Sequence, residues 1–190
     1  MDGKENPAMA VEGKPATSLI KRFAKDARGS TAIEFVLLVF PFVLMMFAII
    51  ETGLSFATQQ VMSNATDDLA RSLRVGELLA ADVSQSSVKK AICDQIGFLV
   101  PSGCPDLYVD LKTYATYAAV PLNIPRKPDG DLNTAGFTAT PGGSSSRNQI
   151  RVFYRWSVYL DFMRKYLADL PNGKTLLYST LTWQNEEFPE

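Results

Sequence analysis

The sequence predicts an α+β protein: a long N-terminal transmembrane α-helix, then a small exported domain with an antiparallel sheet of three or four strands and a packed helix. Residues 35–50 (FVLLVFPFVLMMFAII) contain no charged or strongly polar side chain, and no other stretch is as apolar. After Cys104, three segments alternate between apolar and polar residues and are rich in β-branched and aromatic side chains, which is typical of strands.

The apolar run needs its flanks to cross a membrane. At ~1.5 Å per residue, residues 35–50 span about 24 Å, less than the ~30 Å hydrocarbon core of a bilayer. A helix over residues 30–57 completes the crossing. A buried core helix of a soluble protein and a secretory signal cleaved near Ala57 are the alternatives. Five residues mark the predicted transmembrane helix, with an acid near each end: Ile33, Glu34, Pro41, Glu51 and Gly53.

Charge asymmetry sets the predicted orientation of this helix. Basic residues crowd the N-terminal flank and only Asp26 opposes them, so the N-terminus is expected to stay cytoplasmic while the rest is exported. In an exported domain, the cysteine pair Cys93 and Cys104 is expected to form a disulfide. The basic residues of the flank are Lys21, Arg22, Lys25 and Arg28.

Composition argues against several classes of function. The net charge of −1 gives no long-range field that would draw nucleic acid. Histidine, the commonest general base and metal ligand, is absent from the sequence. We therefore predict no catalytic residue, no metal site, no cofactor and no nucleic-acid partner.

Two short segments resemble catalytic motifs but are incomplete. Ser86 and Lys89 match a Ser-x-x-Lys pattern, but the supporting Lys-Thr-Gly is missing. Gly173-Lys174-Thr175 resembles the end of a P-loop, but Ala168 stands where the earlier glycine is required. An enzyme is therefore the poorest of the functional hypotheses.

The residues before the apolar run, Arg28-Gly29-Ser30-Thr31-Ala32-Ile33-Glu34-Phe35, resemble the processing site of type IV prepilins. In those proteins a membrane peptidase cuts after a glycine on the cytoplasmic side. Cleavage after Gly29 would make Ser30 the new N-terminus, place Glu34 at the fifth position and keep the apolar helix. The predicted organisation is a cleaved basic leader (1–29), a helical rod (30–82) and an exported domain (83–190).

Glu34 has a specific physical role in this hypothesis. A carboxylate at the membrane edge is costly to bury, by a few kcal/mol, unless it is paired. In a pilin bundle its partner is the free amine of a neighbouring subunit's first residue, and Phe35 follows it in the same motif. The alternative is an interfacial glutamate that reaches back to head-group water.

Helical spacing continues beyond the membrane. An apolar stripe is expected to pack on the chain's own domain or on another subunit, and the helix is expected to end near Ala81. The stripe consists of Val61, Ala65, Leu69, Leu73 and Gly76. A second helix is predicted over residues 86–96, capped by Ser84 or Ser86 and ended by Gly97. Strands are predicted over 107–114, 149–160 and 176–183, with an irregular surface loop over 121–147 and a short helix over 161–170.

Taken together, these features resemble a TadE-like minor pilin (pseudopilin) of the tight-adherence (Tad/Flp) pilus, a type IVb/IVc system. The resemblance covers roughly residues 26–188. In the tail, family members commonly show Arg-Asn-Glu-Pro-Phe, whereas this chain has Gln184 and Glu187 at the Arg and Pro positions, which leaves the role of the tail open. The residues that carry the resemblance are Gly29 to Phe35, the proline-interrupted apolar run, Ile49-Ile50-Glu51-Thr52-Gly53, Ala70-Arg71, Ala91-Ile92-Cys93 with Cys104, and Trp183 to Phe188.

The resemblance implies partners and a location. The leader would be removed by a prepilin peptidase, and the mature protein would lie in the bacterial inner membrane with a periplasmic domain. Its partners would be a major Flp-type pilin, other minor pilins, the inner-membrane assembly platform and membrane lipid. It would help to initiate or assemble the pilus, and its incorporation into the extracellular pilus stays open. The alternative is an uncleaved bitopic membrane protein whose periplasmic domain is a binding module.

Overall fold

The computed structural model describes residues 30–189, so the predicted leader lies outside the described residues. The chain divides into two units, residues 1–46 and residues 47–190. The fold class is α+β, as predicted. The helices are α1 (Ser30–Arg74), α2 (Gln85–Ile96) and α3 (Asp161–Leu167), and the strands are β1 (Leu107–Tyr114), β2 (Ala139–Thr140), β3 (Arg147–Ser157) and β4 (Lys174–Gln184).

Helix α1 ends at Arg74, earlier than the predicted end near Ala81. Gly76 follows with φ at +78°, a left-handed conformation that glycine adopts without steric cost. The amide of Leu78 then donates to the carbonyl of Ser72 at 3.1 Å, which closes the helix end. The apolar residues after the glycine continue the helical pattern in the sequence, but the glycine terminates the helix.

The second half of α1 packs against the sheet of the same chain. Met62, Ala65 and Leu73 lie at helical spacing, and their side chains are at most 2% exposed. They belong to one apolar cluster with Val109 of β1 and Val152 of β3. Of the two predicted partners for the apolar stripe, the chain's own domain is confirmed.

Helix α2 begins at a reciprocal cap. The Ser84 hydroxyl accepts a hydrogen bond from the Ser87 amide at 3.1 Å, and the Ser87 hydroxyl accepts one from the Ser84 amide at 2.9 Å. The helix ends at Gly97, as predicted. Its buried face, which includes Val88 and Ile92, joins the same apolar cluster as α1.

A disulfide joins Cys93 of α2 to Cys104 in the turn before β1. We expect a Cys93→Ala/Cys104→Ala variant to lose about 2–5 kcal/mol of unfolding free energy, because the bridge restricts the unfolded chain. Urea unfolding of the full chain in detergent measures the loss. A reductant should destabilise the wild type and leave the double variant unchanged, and a double variant as stable as the oxidised wild type would contradict the expectation.

The sheet has the strand order β2-β1-β3-β4. β3 pairs antiparallel with both β1 and β4, which confirms the three predicted strands. The fourth strand, β2, pairs with β1 in parallel, with Leu111 opposite Ala139, so the sheet is mixed. A parallel neighbour requires the chain to cross back before it pairs, and residues 115–138 provide that connection.

The segment over residues 121–147 is not only the surface loop that the sequence predicts. Leu132 is fully buried, and the ring of Phe137 stacks on Phe153 of β3 with a centroid distance of 5.6 Å. This segment therefore covers the second face of the sheet. Because this segment covers the second face, residues 148–154 of β3 are all buried, although the alternation of apolar and polar side chains predicts one buried face.

An ion pair lies beneath this covering segment. Oδ2 of Asp110 binds the Arg151 guanidinium at 2.5 Å, and the side chains are 1% and 10% exposed. Oδ1 binds Lys112 Nζ at 2.9 Å and accepts a hydrogen bond from the Thr138 amide at 3.2 Å. Asp110 thus joins three segments: β1, β3 and the residue before β2.

Two titratable groups of the domain have shifted pKa values. Burial acts to raise the pKa of Asp131, but hydrogen bonds from Lys127 and the Leu132 amide, with the charge of Arg155, bring it below its ordinary value. A carboxyl with a lowered pKa in the folded state stabilises the fold above about pH 4 and loses that contribution as the pH falls. Burial raises the pKa of Tyr154 to about 12.

Candidate functional site

The predicted processing site lies partly within the described residues. Gly29 lies outside them, and Ser30 is the first described residue of α1. Glu34 lies one turn further along and is exposed, as is the neighbouring Phe35 at 64%. Because residues four apart share a helix face, Glu34 lies on the same side of α1 as position 30.

The apolar part of α1 is uncovered. Among the described residues, α1 is the one helix long and apolar enough to cross a membrane, and its most apolar 18-residue window has no buried residue. Ile33 and Pro41 are both exposed, and the helix continues through the proline. An apolar surface of this length needs a cover, and a bilayer supplies one.

Glu51 joins the end of the apolar run to the folded domain. Its side chain is 6% exposed, although the sequence placed it in the transmembrane helix. Oε1 accepts a hydrogen bond from the Tyr159 amide at 2.5 Å, and Oε2 accepts one from the Leu160 amide at 3.2 Å. These charge-assisted bonds satisfy a carboxylate that would be costly to bury alone. They fix the segment between β3 and α3 beside α1.

Gln59, two turns after Glu51, binds the outer edge of β4. Its side-chain amide donates to the Tyr178 carbonyl at 2.6 Å and accepts from the Tyr178 amide at 3.1 Å. The side chain thus takes the place of a neighbouring strand and protects part of the sheet edge. Gly53, between these two residues, is exposed, and a Cβ there would meet nothing within 4 Å. The role of Gly53 in a membrane helix stays a prediction.

The C-terminal tail contains a buried amide network. Asn185 is 4% exposed. Its Oδ1 accepts hydrogen bonds from Asn148 Nδ2 at 3.1 Å and from Trp183 Nε1 at 2.8 Å. Its Nδ2 donates to the carbonyls of Gly142 at 3.0 Å and Gly143 at 2.8 Å. The network ties β4 to the start of β3 and to the turn before it.

The same tail also binds the C-terminal end of α1. The Glu186 amide donates to the Arg74 carbonyl at 2.9 Å, and the two side chains form an exposed ion pair at 3.2 Å. The ring of Phe188 lies against Gly76, where an added Cβ would come within 2.7 Å of it. The role that the sequence leaves open for the tail is therefore at least structural.

Gly76 offers a sharp test of this contact. We expect Gly76→Ala to lower the free energy of unfolding by about 2–4 kcal/mol, since a left-handed alanine and overpacking against Phe188 both destabilise the fold. Gly103 is the matched control: its φ is +77°, but an added Cβ there meets nothing within 4 Å. In urea unfolding, Gly103→Ala should lose only the part of the unfolding free energy that comes from the left-handed backbone conformation. Equal losses at the two glycines would contradict the contact with the tail.

The segments that resemble catalytic motifs make structural contacts. Ser86 Oγ lies 3.0 Å from Ser84 Oγ at the cap of α2, and Lys174 Nζ binds Asp106 at 2.8 Å. Within residues 30–189, no group of three or more His, Cys, Asp or Glu side chains could hold a metal ion. That the protein is not an enzyme stays a prediction.

Comparison with known families concerns α1. Residues 29–71 match the TadE-like protein family model. The matched segment begins at the predicted cleavage position, Gly29, and includes Glu34 and Glu51, whereas residues 72–190 lie outside it. This match is consistent with a TadE-like protein of the Tad pilus system, and together with the apolar helix it points to membrane anchoring. No curated protein and no solved structure matches the chain.

Proposed function

We propose that the protein is a minor pilin that takes part in the initiation or assembly of a Tad-type adhesive pilus. The observation that carries the proposal is that the TadE-like match covers residues 29–71, which include Gly29, Glu34 and the exposed apolar part of α1. Cleavage between Gly29 and Ser30 would leave Glu34 as the fifth residue and retain α1 from Ser30 onward. The exposed apolar surface of residues 33–50 then packs in the membrane first, and against other pilin helices later.

This proposal sets the orientation and the partners of the chain. The basic flank before residue 30 stays on the cytoplasmic side of the bacterial inner membrane, and the domain from residue 83 onward is periplasmic. The partners are the prepilin peptidase, the assembly platform, a major Flp-type pilin and other minor pilins. Pairing of Glu34 with the terminal amine of a neighbouring subunit would seat the helix in the growing bundle.

Deletion and crosslinking test the proposal. Loss of the chain should abolish surface pili, and the wild-type chain should restore them. A photo-crosslinking residue at Phe35, which is 64% exposed, should capture a pilin. A photo-crosslinking residue at Tyr117, which lies in the domain and is 53% exposed, should not give the same crosslinked product. Normal piliation without the chain, together with no pilin captured at position 35, would overturn the proposal.

A groove on the second face of the sheet favours the alternative, an uncleaved bitopic binding module. The groove has a volume of 540 Å³ and opens beside β4, with Arg151, Tyr178 and Thr180 among its lining residues. If this alternative holds, the chain should keep its leader and its activity in cells that lack the prepilin peptidase. Loss of activity in those cells would favour the minor pilin.

A further inference from the structure

Large aromatic side chains are exposed in the segment that Glu51 binds. Tyr159 is 69% exposed, Phe162 is 43% exposed and Tyr166 is 79% exposed. Soluble domains seldom leave several large aromatic side chains uncovered in one short segment, so an uncovered set of this kind marks a contact surface. These three residues and the neighbouring Lys165 are named here the interfacial patch.

The hydrogen bonds of Glu51 fix the level of the interfacial patch along α1. Glu51 is the first residue after the apolar run, and it holds the Tyr159 and Leu160 amides. An open apolar pocket of 190 Å³ at this junction is lined by Phe47 and Ile50 from the last turn of the run, together with Tyr159 and Leu160. The interfacial patch therefore begins at the level where the apolar run ends, which is where lipid head groups replace hydrocarbon.

We propose that the interfacial patch docks on the head-group region of the membrane that α1 spans, with anionic phospholipid as its partner. Tyrosine and other amphipathic aromatic side chains favour this region, because their rings meet acyl chains while their polar ends stay hydrated. The proposal rests on α1 anchoring the chain in a membrane, not on the chain being a pilin.

Charge on α3 selects the class of lipid. Arg164 pairs with Asp161 at 2.9 Å, which partly neutralises both side chains. Lys165 is exposed and makes no ion pair with any described residue, so it is the cation available to a lipid phosphate. With the aromatic rings beside it, Lys165 gives α3 the composition of a short interfacial helix.

A second contact with the bilayer has a mechanical consequence. A single helix would let the domain tilt about its point of exit, whereas α1 and the interfacial patch together hold it in one orientation. Glu51 connects the two contacts, which accounts for a buried acid directly after an apolar run.

Fluorescence quenching of the full chain in vesicles tests the docking. A Tyr166→Cys variant carries an environment-sensitive fluorophore, and the vesicles contain anionic phosphatidylglycerol and a lipid with a shallow spin-label quencher. The matched control is Leu122→Cys, at a side chain that is 94% exposed. The carbonyl of the adjacent Pro121 accepts a hydrogen bond from the Gln149 side chain of β3. At ~3.3 Å per residue, Gln149 lies roughly 23 Å along β3 from Trp156, near the end of the strand that leads to the interfacial patch. Strong quenching at position 166 and little at position 122 are expected.

A charge variant tests the lipid class. Lys165→Gln should weaken the docked population at position 166 about fivefold in anionic vesicles and leave it unchanged in zwitterionic vesicles. Equal quenching at positions 166 and 122 would overturn the docking. Quenching at position 166 that is the same in both vesicle types and insensitive to Lys165→Gln would overturn the assignment to anionic lipid. Protection of position 166 that appears only when a second protein is added would also overturn the proposal.

Discussion

Replacing Asp110 with alanine should lower the free energy of unfolding by about 3–5 kcal/mol, the loss typical of leaving a buried charge without its partner. The Asp110 and Arg151 side chains are 1% and 10% exposed and lie 2.5 Å apart. Removal of the Asp110 carboxylate leaves the Arg151 guanidinium without its anionic partner beneath the covering segment. It also leaves the Thr138 amide without its acceptor. We expect β2 to detach first, because Thr138 directly precedes it.

Matched variants separate the causes of this loss. Lys112→Ala removes the other cation near Asp110, but that lysine side chain is 32% exposed, so the loss should stay below about 1 kcal/mol. Replacing both Asp110 and Arg151 with apolar residues of similar size should recover much of the stability, since no unpaired charge remains. Urea unfolding of the full chain in detergent measures all three. An Asp110→Ala variant no less stable than Lys112→Ala would contradict the role of the buried pair.

Replacing Glu34 with alanine should abolish piliation while leaving membrane insertion intact. Glu34 lies in α1 directly before the apolar run, and removal of its charge makes insertion easier. What is lost is the carboxylate that would pair with the amine of a neighbouring subunit. Surface pili are counted by electron microscopy, and insertion is checked by resistance of the chain to alkaline extraction.

Two controls distinguish an effect of the Glu34 charge from an effect of the size of its side chain or of losing any exposed acid. Glu34→Gln keeps the size of the side chain but removes its charge, so it should fail as Glu34→Ala does. Glu77→Ala removes an exposed acid beyond the end of α1 and should leave piliation normal. Wild-type numbers of pili on cells that carry Glu34→Gln would show that the charge at this position has no role in assembly.

Features set by short-range chemistry could be predicted from the sequence. β1 has the predicted bounds, α2 begins within one residue of the predicted start, and Ser84 caps it. These outcomes depend on alternation and on caps that act within a few residues. The apolar helix and the pairing of the two cysteines were equally accessible, because the chain contains one long apolar run and two cysteines.

Features that join distant parts of the chain could not be predicted. Glu51 and Tyr159 are 108 residues apart, and Gln59 and Tyr178 are 119 apart. Composition gives no sign that an acid at the end of an apolar run binds backbone amides of the domain. The covering segment was missed for a similar reason, since Leu132 and Phe137 stand among turn residues, and Leu132 is buried and Phe137 half-buried only by packing with Phe153 of β3. The tail residue Asn185 belongs to a motif of the family resemblance, but its hydrogen bonds could be identified only from the structure.

The mass of the mature protein tests the central claim most directly, namely that α1 is retained as an assembly element after cleavage of the leader. Intact mass spectrometry of the chain purified from wild-type cells should give an N-terminus at Ser30, and the chain from cells without the prepilin peptidase should keep Met1. An N-terminus at Met1 in wild-type cells, or one beyond Ala57 with the apolar part of α1 removed, would contradict the account.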